Sequence, residues 1–261
     1  MSNSTSSSST SLNSSSQRYW VVVPAAGMGS RMGSEIPKQY LLLGTKTILE
    51  HTLERLLEIP ALAGIVVAVS ETDLLWKSLP INKNPLIHTV IGGAERANSV
   101  LNGLDYLHDK LQAQDWVLVH DAARPCVTLS NISLLCESLK NDDVGGILAI
   151  PVSDTLKQVA AHNVIDKTID RGPLWRAQTP QLFRYQLLCD CLTQTIARND
   201  TITDEASALE LCGFTPKVVE GREDNIKITR PDDLLLAAFI LQQQESSDQK
   251  KNSDQKKENT L

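Results

Sequence analysis

The chain has 261 residues and a formal net charge of −6, with 25 Lys and Arg against 31 Asp and Glu. That balance, with no basic stripe, argues against nucleic acid as a partner, and no apolar run is long enough to imply a membrane span. The five cysteines are odd in number and fit no zinc or disulfide spacing, so they read as buried thiols in a reducing cytoplasm.

Residues 1–17 form a Ser-rich head with no apolar segment of the kind a secretory signal needs, and disorder is expected there. A buried strand is predicted at 20–23. It runs into Pro24-Ala25-Ala26-Gly27-Met28-Gly29-Ser30-Arg31, and Lys38 follows at short range. Small residues let backbone N–H groups approach phosphate oxygens, and Arg31 and Lys38 supply cations of different reach. This is the pattern of a triphosphate site. It is not the Walker A loop, and Gly27, Gly29 and Gly33 are spaced one residue too long for a dinucleotide fingerprint. Glu50, the acid such a fingerprint would use, falls inside a helix predicted at 47–57.

A strand at 65–69 comes next. Gly92-Gly93-Ala94-Glu95-Arg96 then opens a helix at 96–108. Paired glycines there allow a flat base to approach; for Ser99, helix capping competes with base reading. A strand at 116–120 ends in His120-Asp121-Ala122-Ala123-Arg124. Asp121 becomes a hard oxygen donor for Mg²⁺ and Arg124 a fork for a second phosphate. Local pairing of Asp121 with Arg124 is the alternative, and His120 reads as a packed histidine. A helix at 132–139 and a strand at 146–150 precede a β-hairpin arm at about 156–178, with its turn near His162-Asn163. The arm has little core of its own, which points to packing on a second subunit.

Helices follow at 184–197 and 204–211, then strands at 217–219 and 226–229 and a helix at 231–243. Lys227 is the odd residue of the last strand, facing either solvent or the cleft. Residues 244–261, with a repeated Ser-Asp-Gln-Lys-Lys, read as a disordered polar tail. One α/β domain is therefore expected at 18–243, its mostly parallel sheet covered by helices on both faces. Its ligands would bind beyond the carboxyl ends of the strands, where the loops after 23 and 120 share one rim.

Taken in order, the runs PAAGMGSRM, PKQYL, GGAERANSV, VLVHDAARP, DT at 154–155, IDR at 169–171, TPQ at 179–181, ITDEAS and DNIKIT resemble the 2-C-methyl-D-erythritol 4-phosphate cytidylyltransferase family over about 18–243. The resemblance implies a Rossmann-like nucleotidyltransferase fold, a homodimer joined by the arm, and CTP, methylerythritol phosphate and Mg²⁺ as partners. It assigns CTP contacts to Pro24, Ala25, Ala26, Gly27, Gly29, Gly93, Ser99, Asp121 and Ala122, with Asp121 on the metal. Arg31, Lys38 and Lys227 become catalytic. Arg124, Thr155, Arg171, Thr179 and Thr203 become acceptor contacts. Ala94 departs from the family, many of whose members carry Asp there, so recognition of cytosine would rest more on Gly93 and Ser99. The implied chemistry is in-line attack by an acceptor phosphate at the α-phosphorus, with pyrophosphate leaving. Ribitol-5-phosphate cytidylyl transfer and non-catalytic nucleotide sensing are the competing functions.

Overall fold

The computed structural model describes residues 18–27 and 36–258, with side chains described as far as 247. Gly29, Arg31 and the Ser-rich head at 1–17 lie outside the described residues.

The apolar run at the start forms β1 (Tyr19–Pro24). A short β2 (Leu42–Leu43) and β3 (Lys46–Thr47) pair as a hairpin before α1 (Ile48–Leu57). Thr47 caps α1, and Glu50 bonds back to the Thr47 N–H at 2.8 Å, so this acid serves a capping box and not a ribose. Next come β4 (Leu62–Val69), α2 (Leu74–Ser78), β5 (Ile87–Ile91) and α3 (Arg96–Asp105). Then β6 (Trp116–Val119), α4 (Leu129–Leu139) and β7 (Gly145–Pro151) follow. The arm is β8 (Leu156–Val159) and β9 (Ile165–Ile169), followed by β10 (Trp175–Arg184). The chain closes with α5 (Tyr185–Ala197), α6 (Glu205–Leu211), β11 (Lys217–Glu220) and α7 (Asp232–Glu258).

Seven strands form one sheet in the order β11-β7-β10-β6-β1-β4-β5. All its pairings are parallel except those of β10, which runs antiparallel to both β6 and β7. Alternation along β1 feeds two cores. Val21 and Val23 pack with Leu49 and Leu53 of α1 and Leu135 of α4. Val22 packs with Val100 and Leu104 of α3 and Leu188 of α5. From β1 the chain winds outward through β4 to β5, then returns to place β6 on the other side of β1. That reversal opens a crevice at the carboxyl ends of β1 and β6, where open α/β sheets bind ligands.

Three expectations are corrected. Residues 226–229 have no regular structure and join no sheet; Ile228 N bonds to Ala123 O at 2.9 Å as an isolated contact. β5 and β10 are strands that the pattern does not announce, and β10 takes 175–178 away from the arm. The polar tail continues α7 as helix to Glu258, because nothing after Pro231 interrupts it and its Gln, Glu and Lys residues favour helix. Among the described residues no helix is long and apolar enough to cross a membrane. The hairpin turn falls where expected, with His162 and Asn163 both at positive φ.

Candidate active site

A cavity of about 190 Å³ opens at the β1–β6 crevice. Of the predicted residues it brings together Pro24, Ala25, Ala26, Gly27, Lys38, Gly93, Ser99, Asp121, Ala122 and Lys227. The end of β1 is held in shape by Gln39, whose Nε2 donates to Ala25 O at 2.7 Å and Gly27 O at 3.1 Å. Gly92 lies so close to Ala26 that a Cβ would stand 2.5 Å from the Ala26 methyl. A side chain at Gly93 would collide with Asn98. The paired glycines are thus a packing requirement of this wall. Ser99 is not a cap. Its hydroxyl donates to Glu95 O at 3.1 Å and accepts from Gly93 N at 3.0 Å, tying the glycine loop to α3.

Charge converges on Asp121. Its Oδ1 accepts from Arg96 Nε at 3.1 Å, and its Oδ2 lies 2.9 Å from Lys227 Nζ and 3.5 Å from Arg124 Nε. Burial opposes ionisation, yet Arg96, Lys227 and Arg124 together hold this carboxyl well below the usual carboxylate range. Lys227 therefore faces the cleft. Lys38 Nζ donates to Ile228 O at 2.9 Å, so the segment carrying Lys227 also places the second lysine. Arg96 is forked by Glu205, with Nη1–Oε1 at 2.6 Å and Nη2–Oε2 at 3.1 Å. Burial raises the Glu205 carboxyl above its ordinary value, and the Arg96 charge pulls against that.

Other predicted residues stand elsewhere. Arg124 is turned away from the cavity, donating to Asn225 O at 2.7 Å and Ala177 O at 3.3 Å, so its fork holds protein in this structure. Thr179 sits behind the cavity, its hydroxyl accepting from Asp121 N at 3.0 Å. Thr155 and Arg171 are exposed at the arm, where Arg171 donates to Ser153 O. Thr203 is exposed just before α6. Three residues with no predicted role, Gln39, Arg96 and Glu205, prove central. The sequence signal for Glu205 is an acid at a helix start, which the helix dipole alone explains.

His120 is fully buried. Its Nε2 lies 3.1 Å from Arg124 O and its Nδ1 3.0 Å from Thr179 Oγ1. The Thr179 hydroxyl accepts from Asp121 N, so its own proton serves Nδ1, and Nε2 carries the ring proton toward Arg124 O. Burial pushes the His120 pKa down to about 4 from 6.5. The unfolded chain therefore takes a proton that the folded chain refuses. Stability from this site is complete above about pH 6.5 and lost as pH falls toward 4, by on the order of 3 kcal/mol. Urea midpoints measured across that window should fall with acid, and His120→Gln should flatten the slope. An unchanged slope in the variant would place the titration elsewhere.

Among the described residues no cluster of three or more His, Cys, Asp or Glu could hold a metal ion alone. Asp121 fits a Mg²⁺ site of the kind in which one carboxylate suffices and substrate phosphates and water complete the shell.

Comparison with known proteins identifies the family. The family model for 2-C-methyl-D-erythritol 4-phosphate cytidylyltransferase matches residues 19–243. A protein of that description from Vibrio vulnificus (strain YJ016) is 54% identical over 220 residues, covering 84% of this chain and 93% of the relative. Another from Tolumonas auensis is 52% identical over 226 residues, covering 87% and 97%. The crystal structure of the Francisella tularensis 2-C-methyl-D-erythritol 4-phosphate cytidylyltransferase is 40% identical, with a TM-score of 0.75 over 86% of this chain and 100% of that one. The chain belongs to the 2-C-methyl-D-erythritol 4-phosphate cytidylyltransferase family.

Proposed function

We propose that the cavity between β1 and β6 binds CTP and that the acceptor phosphate reacts at its Lys227 side. The chain is a nucleotidyltransferase that moves a cytidylyl group from CTP to 2-C-methyl-D-erythritol 4-phosphate, releasing pyrophosphate, in isoprenoid precursor synthesis. The observation that carries the site assignment is the convergence of Lys38, Arg96, Lys227 and Asp121 on a wall of small residues. In the proposed arrangement Pro24, Ala25, Ala26 and Gly27 offer backbone to the triphosphate, and Gly29 and Arg31 extend that loop. Gly93 and Ser99 face the base. Lys38, Lys227 and Arg31 stabilise charge that builds at the pentavalent phosphorus. A phosphate monoester is already anionic at pH 7, so the attack needs no general base. This agrees with a His120 that is neutral and committed to Arg124 and Thr179. A divalent cation at Asp121 would neutralise triphosphate oxygens when bound.

Thr155, Arg171, Thr179 and Thr203 are proposed for the acceptor side, and Arg124 with them if its guanidinium is released from Asn225 O. The arm supports a homodimer. Val159, Val164 and Ile165 are exposed there and Trp175 at its base, and among the described residues β8 and β9 pair only with each other. A second subunit would cover these side chains and let each acceptor site borrow Thr155 and Arg171 across the interface. Replacing Val164 and Ile165 together with Asp should give a monomer by sedimentation and raise the KM for methylerythritol phosphate, with CTP binding better preserved. A monomer with normal acceptor KM would remove the shared site. Free thiols at all five cysteines fit the reducing cytoplasm as the compartment.

The deciding assay is pyrophosphate release from CTP with methylerythritol phosphate, ribitol 5-phosphate or no acceptor. Release with the first alone is expected. Equal release with ribitol 5-phosphate would widen the acceptor class, and CTP binding without release would indicate a sensor.

A further inference from the structure

We infer that Glu205 sets the affinity of Asp121 for a divalent cation, acting through Arg96 as a positioning residue. The inference rests on the reading of the cavity as a metal–nucleotide site. A guanidinium has more than one edge that can grip a carboxylate with two parallel bonds. Glu205 occupies the edge formed by Nη1 and Nη2, at 2.6 and 3.1 Å. Arg96 is left to reach Asp121 through Nε only, at 3.1 Å. Asp121 is therefore touched by Arg96 at one oxygen and is not chelated by it. The positive charge beside it is also shared with a second carboxylate, one that does not line the cavity.

Glu205 is well placed to hold this geometry. It is 1% exposed and is the first residue of α6, whose start is pinned from two sides. Asp204 caps the helix by accepting from Ser207 N at 3.0 Å. Gln181 of β10 donates to Asp204 Oδ2 at 2.8 Å and accepts from Ala206 N at 3.0 Å. The carboxylate thus stands on a helix start held by a side chain of the central sheet. Without its charge, Arg96 would be free to turn a two-bond edge onto Asp121, and its full charge would face any dication arriving there.

This gives a sign that a merely structural role would not. In Glu205→Gln, Mn²⁺ binding to the CTP complex, read by electron paramagnetic resonance, should weaken about tenfold, as for other groups that orient a metal ligand. CTP binding in EDTA, measured by calorimetry, should be unchanged or tighter, because the cavity has gained positive charge. In the double variant Arg96→Gln/Glu205→Gln both charges leave together, and Mn²⁺ affinity should return toward that of the original chain. The double variant leaves no unpaired charge from this pair, so it guards against a folding failure in the single one. Unchanged Mn²⁺ affinity in Glu205→Gln would overturn the inference. So would parallel loss of Mn²⁺ and metal-free CTP binding, or a double variant no better than the single. Pyrophosphate release by the unsubstituted chain tests the catalytic reading separately, and its failure would leave the Mn²⁺ comparison standing.

Discussion

Lys38→Ala should leave a folded protein that turns over about 10²–10³ times more slowly, the usual loss when one contact to developing charge is removed. Lys38 opens a single 3-10 turn, Lys38–Tyr40, and reaches over the cavity to Ile228 O. Its ammonium contributes little to the core, so the melting temperature should shift by only a degree or two. The next residues, Gln39 and Tyr40, are the buried ones and carry the packing. In the proposed role the loss should fall mainly on kcat, since the charge Lys38 would meet is greatest as pyrophosphate departs. Arginine is a poor substitute, because its planar fork differs from a compact ammonium. The check is kcat and KM for each substrate beside a thermal melt. Near-normal turnover in a folded Lys38→Ala protein would take Lys38 out of the site.

Asp121→Asn should damage both function and stability. The carboxylate holds Arg96, Lys227 and, more loosely, Arg124. Neutralising it leaves those cations crowded together, and breaking a buried pair typically costs about 3–5 kcal/mol. The cost here should sit at the low end. Glu205 still holds Arg96, Arg124 keeps two carbonyls, and Lys227 is 36% exposed and can swing to water. Activity should fall by at least about 10²–10³ if Asp121 holds the metal as proposed. The Mg²⁺ concentration for half-maximal release should rise. Urea unfolding with a Mg²⁺ titration of pyrophosphate release separates the two effects, and a variant with an unchanged Mg²⁺ dependence would argue against Asp121 as the metal ligand.

The site was legible where it follows buried strands. Val21–Val23 ahead of small residues, and the apolar β6 ahead of Asp121, mark two strand ends, and a parallel sheet puts such ends on one rim. β10 was hidden for a physical reason. Gln178, Thr179 and Gln181 break the apolar pattern of a central strand, yet all are buried because each has a specific polar partner. Gln178 reaches Arg222 O, Thr179 faces His120, and Gln181 reaches Asp204. Periodicity cannot announce a strand whose buried polar side chains find their partners far away in the sequence. The Arg96–Glu205 fork joins residues 109 apart in sequence, so neither end gives local warning of the other. The segment at 226–229 has the composition of a strand, but its N–H and C=O groups dock singly on Ala123 and Lys38 and find no ladder.

The reversed direction of β10 also makes the arm a detachable part. Because β7 and β10 are antiparallel neighbours, Pro151 lies opposite Trp175, and Val152 N bonds to Leu174 O at 3.0 Å. The arm leaves and re-enters the sheet at one point, as a branch leaves a trunk. Closing a longer or shorter loop across that point changes the entropy only slowly with its length. The sheet register, and with it the hydroxyl of Thr179 against Asp121, is fixed on the trunk side of the junction. The arm can therefore be lengthened, shortened or re-faced while Thr179 and Asp121 keep their geometry.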